Sequence, residues 1–211
     1  MDLSESLIKT GHPPHIGGYH NNRLPFFRIL RKVTLFIVIF VSFFHLPNFI
    51  PILNHREQTI KEILDVLERH PTGLANVTKE ELAEVIYEEA IRHNHDPKFI
   101  LALIAIESSF QNWSVSEQGA KGLMQIMPYV AESLARELGI EWSGDRTLFN
   151  PYLNIRIGIY YLSQLLIDFE DIGVALTAYN YGPTYVKGLL ERKEKIPSNY
   201  YRKFITTYQN I

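Results

Sequence analysis

The chain contains no cysteine. No disulfide, thiolate-ligated metal or thiol nucleophile is therefore possible, and no cysteine is present to carry a bacterial lipid anchor. Methionine is scarce at three residues, so the close pair Met124 and Met127 stands out. No sign of charge dominates. The net charge of −2 excludes a general nucleic-acid binder, which would carry a strong basic excess. No alternating strand pattern of any length occurs, and no repeat recurs at a solenoid period. With 46% hydrophobic and 21% charged residues the chain is not globally disordered. Its 211 residues suit one domain plus an extension.

Charge is missing altogether from residues 33 to 54. Before Val33, five basic side chains outnumber Asp2 and Glu5 to give a net +3, so the remainder sums to −5. Residues 1–32 are rich in Gly, Pro, His and Asn and read as a flexible basic leader. Arg28, Arg31 and Lys32 then flank the apolar run from Val33 to Phe44, the pattern of a membrane-targeting segment. The 14 residues from Val33 to Leu46 would make a helix of only about 21 Å, short of a ~30 Å hydrocarbon core. Extending to Leu53 makes up the length through Pro47 and Pro51. No small-residue cleavage site follows Phe44, which favours an uncleaved signal anchor over 33–53; an exported chain with the signal removed is the alternative. The basic flank puts the N-terminus in the cytoplasm and the rest across the membrane.

Beyond the span the pattern is helical. Ile60, Ile63, Leu64 and Leu67 make residues 54–77 a stalk or packing helix, closed by Pro71 and Gly73. Thr78 and Glu81 form a capping box that opens a domain over 78–211, with Leu82, Val85, Ile86 and Ala90 facing inward. His93 and His95 are spaced like a metal pair, but no His or Cys follows anywhere, so no metal or other cofactor is expected. Pro128 and Asn150-Pro151 open further helices. The longer one holds Leu153, Ile157, Tyr160, Tyr161, Leu165 and Phe169. A short helix over 172–181 is broken by Gly182-Pro183, and closing helices are expected over 185–193 and 198–208. The fold class is therefore mainly α. Lys187, Arg192, Lys193, Lys195, Arg202 and Lys203 cluster near the C-terminus and read chiefly as a solvated helix face.

One stretch organises the rest. Asp96-Pro97 is a cap followed by a first-turn proline, and Phe99 to Ile106 are eight apolar residues in a row. A helix apolar all round is a buried helix. Glu107 stands where that run ends. Desolvation there should raise its pKa above the usual ~4.3, and a carboxyl still protonated near neutrality can act as a general acid. Glu117, Glu141 and Asp145 lie in polar loops with no such run leading into them.

Glu107-Ser-Ser-Phe110 is followed by Gly122-Leu-Met-Gln-Ile-Met-Pro128 and later by Ala178-Tyr-Asn-Tyr-Gly182. Together these resemble, in order and spacing, the three signature motifs of the soluble lytic transglycosylase family, over roughly residues 80 to 190. The resemblance implies a lysozyme-like domain that cleaves the β-1,4 bond between N-acetylmuramic acid and N-acetylglucosamine in peptidoglycan glycan strands. It implies 1,6-anhydro-N-acetylmuramic acid as product, with Glu107 as the single acid and base. By position, Ser116 matches a serine that binds the substrate acetamido group. Gln125 and Met127 match residues lining the groove, Tyr179 a tyrosine hydrogen-bonded near the acid, and Asn180 its neighbour in the groove. With the predicted anchor, the enzyme would sit in an inner membrane facing the periplasm or cell wall. Tyr181 stands where the family often has a smaller residue. A water-using muramidase of similar fold and a non-catalytic wall-binding component are the competing readings.

Overall fold

The structure is a computed structural model that describes residues 23–211; over 23–28 and 41–53 it describes helical backbone alone. The chain divides into two compact units, Met1–Ile52 and Leu53–Ile211. In the first, residues 1–22 of the expected flexible leader lie outside the described residues. From Arg23 the chain is already helical, because α1 (Arg23–Glu68) begins there. Large apolar side chains between Ile29 and Phe40 are exposed on every side of this helix, Phe36 at 69% and Leu35 at 61%. Among the described residues no helix is long and apolar enough to cross a membrane. The side chains of residues 41–53, the second half of the expected span, lie outside those described.

The second unit is mainly helical, as the sequence pattern predicts. After the last turns of α1 come α2 (Lys79–Arg92), α3 (Pro97–Ser108), α4 (Pro128–Glu137), a 3-10 turn (Asp145–Phe149) and α5 (Pro151–Phe169). Three shorter helices close it: α6 (Ile172–Tyr181), α7 (Pro183–Glu191) and α8 (Asn199–Asn210). The β pairing among the described residues is two isolated bridges, Val115 with Lys121 and Lys121 with Ile126.

Local chemistry sets the helix ends. Thr78 Oγ1 accepts from the Glu81 amide at 3.1 Å, and Glu81 Oε2 accepts from the Thr78 amide at 2.8 Å, completing the expected capping box. Asp96 and Asn150 cap α3 and α5 through Oδ1, each with a proline at the next position. Gly182-Pro183 does more than break a helix. Gly182 takes φ +89°, and Pro183 opens α7 at its first turn, two residues earlier than the expected 185.

Helix α3 is the buried strut. Ile100 through Ile104 are at most 3% exposed, with α2 and α8 packed against them. Ile63, Val66 and Leu67 of α1 join the same core, and the helix ends at Glu68, ahead of the expected Pro71. Burial on α5 is not confined to one stripe. Ile155, Ile157, Ile159, Leu162 and Leu165 are buried, whereas Leu153, Tyr160, Tyr161 and Phe169 are half-buried. The cause is that α5 meets α2, α4 and α6 on different sides, so burial wraps most of the helix instead of one stripe.

Candidate active site

Glu107 occupies the last turn of α3. The chain turns sharply after it, because Ser109 and Phe110 take φ values of +51° and +65°. Positive φ in two consecutive non-glycine residues costs energy and persists only where packing enforces it. Here the enforcing residue is Phe110, 1% exposed and packed at a tilt against His70 with ring centroids 4.5 Å apart. The turn stops α3 at the edge of the core and leaves the Glu107 carboxyl half-buried.

Helix α8 reaches the carboxyl from the other side. Tyr200, 8% exposed, donates its phenolic hydrogen to Glu107 Oε1. One turn on, Lys203 Nζ donates to the Ile106 carbonyl at 3.1 Å. Phe204 completes the contact by packing on Phe99, ring centroids 4.4 Å apart. Residues at i, i+3 and i+4 share one helix face, so a single face of α8 carries the phenol, the ammonium and the apolar seal.

These neighbours pull in opposite directions. Burial raises the Glu107 pKa, while the Tyr200 hydrogen bond and the Lys203 charge lower it. Burial wins, and the carboxyl is pushed up from an ordinary 4.5 to about 7. Burial also drives the Tyr179 and Tyr200 hydroxyls well above 10, with Glu107 adding to it, so both remain neutral donors.

Tyr179 is 9% exposed and donates to the Met124 carbonyl at 2.8 Å. Its hydroxyl thus ties α6 to the Gly-Leu-Met-Gln segment, and the tyrosine bonded to the acid itself is Tyr200. Gln125 sits at φ +48°, and its Nε2 donates to the carbonyls of Ser114 and Gly122 at 3.1 and 2.9 Å. Ser116 Oγ accepts from the Ala120 amide at 3.0 Å in the same loop. Both side chains brace the loop that carries them, while Gln125 Oε1 and the Ser116 hydroxyl hydrogen remain available. Met124 is fully buried; Met127 is half-buried at the cap of α4, and Asn180 is exposed at the end of α6.

A buried asparagine underlies this arrangement. Asn154 of α5 is 0% exposed and accepts from the Met124 amide at 2.8 Å. Its Nδ2 donates to Lys121 and Leu148 carbonyls at 2.9 and 3.0 Å. Gly122, at φ +81°, allows that approach, since a Cβ there would lie 2.2 Å from Asn154 Nδ2. Sequence pattern did not mark Asn154 or Tyr200 as site residues.

A groove of about 510 Å³ is lined in part by Tyr161, whose ring centroid is 5.4 Å from that of Tyr179. Tyr129, Tyr181 and Tyr185 line it, exposed by 69%, 45% and 48%. None of the loop carboxylates sits in comparable burial. Asp145 is paired with Lys121 at 3.1 Å, and Glu117 and Glu141 are exposed. In the C-terminal basic cluster, Lys187 pairs with Asp168 at 2.9 Å and Arg192 with Glu194 at 2.6 Å. His95 Nε2 lies 2.7 Å from Ser163 Oγ, and His93 Nε2 is 4.0 Å from Glu89 Oε2.

The Transglycosylase SLT domain family model matches residues 84–201. A transglycosylase of Enterobacteria phage PRD1 is 33% identical over 99 residues, covering 47% of this chain and 34% of that protein. The membrane-bound lytic murein transglycosylase C of Photorhabdus laumondii subsp. laumondii is 35% identical over 108 residues, covering 46% and 30%. Among solved structures, the lytic transglycosylase Slt from Pseudomonas aeruginosa aligns with a TM-score of 0.48 at 32% identity, covering 59% of this chain and 21% of that one. The chain spans about a third of the length of the curated relatives it matches.

The raised pKa links Glu107 to stability. Its protonated form is held equally well at low pH, and folded stability falls as pH climbs from the unfolded value of 4.5 through about 7. The Glu107→Gln variant lacks this titration. It is expected to match the parent at pH 4 and to exceed it at pH 8 by about 3 kcal/mol, measured by urea unfolding. Equal stabilities at both pH values would contradict the burial of the carboxyl. In Tyr200→Phe the Glu107 pKa should rise further, read from its carboxyl ¹³C shift.

Proposed function

The chain belongs to the Transglycosylase SLT domain family, and from that premise we infer that it is a lytic transglycosylase acting on peptidoglycan glycan strands. The observation that carries the reading is the half-buried Glu107 carboxyl, with its pKa raised to about 7 and its Oε1 held by the Tyr200 hydroxyl. At neutral pH such a group exists in both forms. Protonated, it donates to the glycosidic oxygen between N-acetylmuramic acid and N-acetylglucosamine. Ionised, it can take a proton back.

The sugar supplies the nucleophile. The acetamido oxygen of the muramic acid residue attacks its own anomeric carbon as the leaving oxygen is protonated, forming an oxazolinium ring. Glu107, now a carboxylate, accepts the proton of the same sugar's C6 hydroxyl. That oxygen attacks the anomeric carbon, the acetamido oxygen departs, and a 1,6-anhydro ring closes. No water enters and the acid is regenerated. Tyr200 holds Oε1 and leaves Oε2 to serve the substrate. The Lys203 ammonium offsets the charge of the carboxylate stage.

The remaining residues fit binding roles. The Ser116 hydroxyl hydrogen and Gln125 Oε1 suit an acetamido group, which offers both an acceptor and a donor. Met127 at the cap of α4 and Asn180 at the end of α6 would contact the glycan, and Tyr179 fixes the two motifs to each other. The site needs no metal or other cofactor for this sequence of steps. Glu107→Gln keeps the shape and loses the transferable proton. Turnover of purified peptidoglycan should fall by about 10²–10⁴-fold while glycan binding persists. In the parent enzyme kcat/KM should decline as pH rises above about 7. Near-normal turnover in the variant would overturn the assignment.

The domain is placed on the periplasmic or wall side of an inner membrane by an anchor over residues 33–53. Supporting this are the uncharged run, its basic flank and the exposure of apolar side chains all round α1 between Ile29 and Phe40. The full chain should stay with membranes through alkaline carbonate extraction. Its release into the supernatant would contradict an anchor.

A further inference from the structure

Trp113, in the loop after α3, is 56% exposed yet firmly held. Its Nε1 donates to the Gly73 carbonyl at 2.6 Å. Its ring stacks on Phe149 with centroids 5.1 Å apart and planes 29° from parallel. The donor is thereby occupied and one face covered. What the indole presents to solvent is a rigid apolar surface.

The chemistry around that surface is one-sided. Trp113, Arg146, Phe149 and Asn150 line a cleft of about 490 Å³ that shares no lining residue with the tyrosine groove. Arg146 is exposed and makes no hydrogen bond or ion pair among the described residues. Its acidic neighbour Asp145 is already paired with Lys121 at 3.1 Å. Asn150 Oδ1 accepts from the amides of Tyr152 and Leu153 at 3.0 and 3.3 Å, which leaves its Nδ2 hydrogens. The polar side chains at the rim therefore donate and have no free acceptor. A ligand that satisfies the cleft has a flat apolar face for the indole and an anionic acceptor for the guanidinium.

We propose that the Trp113 cleft is a second glycan-binding site, taking a saccharide ring on the indole face and a carboxylate substituent of that ring on Arg146. A pyranose offers the face through its axial C–H groups. In a strand stripped of its stem peptide, N-acetylmuramic acid carries a free carboxylate on its lactyl ether. Arginine is suited to that group because its planar fork bonds both oxygens at once. The inference rests on the glycan reading for the identity of the ligand, and it adds a contact that selects muramic acid over N-acetylglucosamine. Such a contact lets the protein hold a strand through a residue other than the one being cut.

Trp113 is one of two tryptophans, so it can be made its own reporter. The detergent-solubilised full chain carrying Glu107→Gln and Trp142→Phe is titrated with a tetrasaccharide of alternating N-acetylglucosamine and N-acetylmuramic acid. Parallel titrations use chitotetraose, and calorimetry follows total binding. The acidic tetrasaccharide should change Trp113 emission saturably. The midpoint should be about tenfold weaker for chitotetraose, and about tenfold weaker for the acidic glycan once Arg146→Ala is added. Binding heat without any change in Trp113 emission would overturn this site and leave the Glu107 reading standing. An emission change of equal midpoint for both sugars, unaffected by Arg146→Ala, would also overturn it. Absence of binding heat with either sugar would remove this site and the glycan reading together.

Discussion

A single carboxyl held at the boundary between core and solvent is the constraint that the rest of the second unit serves. The Glu107 pKa of about 7 is the balance of one unfavourable influence and two favourable ones, and all three come from helix packing. Burial by α3 and its neighbours raises it, while Tyr200 and Lys203 on α8 hold it from rising further. Were burial complete and unrelieved, the group could not ionise to act as a base. Were it absent, the group would be ionised at neutral pH and could not act as an acid. The contact between α3 and α8 is thus the adjustable element, and Phe204 against Phe99 is the apolar seal that fixes its spacing.

The second requirement is a rigid Gly-Leu-Met-Gln loop, and the structure builds it from small and buried polar groups. Gly122 admits Asn154, and Gly158 admits Met124, where an added Cβ would come within 2.5 Å of the Met124 sulfur. Asn154 then satisfies three backbone groups of the motif loop and its flank. Tyr179 satisfies a fourth, the Met124 carbonyl. A loop so braced keeps its polar backbone bonded without a sheet, which explains how Gln125 tolerates a positive φ. Preorganised donors and acceptors of this kind do not have to reorient when charge develops on a bound sugar.

Local rules carried most of what the sequence revealed. The Thr78 capping box, the Asp96-Pro97 and Asn150-Pro151 starts and the eight-residue apolar run each depend on residues a few positions apart, and each is present in the structure. Glu107 stood out for the same reason, since an apolar run ending in a carboxylate is visible along the chain. Tyr200 was invisible because its partner is 93 residues away and a tyrosine on an amphipathic helix looks like packing. Asn154 was equally hidden, as a polar residue on a helix normally faces water, and only the close approach allowed by Gly122 reveals why it is buried.

The claim at the centre of this account is that one carboxyl suffices because the substrate closes its own ring. An inverting hydrolase would need a second carboxylate roughly 6.5–9.5 Å from the acid to activate water, and of the loop candidates Glu117 and Glu141 are exposed and Asp145 is paired with Lys121. Digestion of purified peptidoglycan in ¹⁸O-labelled water tests this directly by mass spectrometry of the released fragments. The account predicts muramic acid ends that carry no label and are one water lighter than hydrolysed ends. Muramic acid ends carrying ¹⁸O would mean that water is the acceptor, and would contradict it.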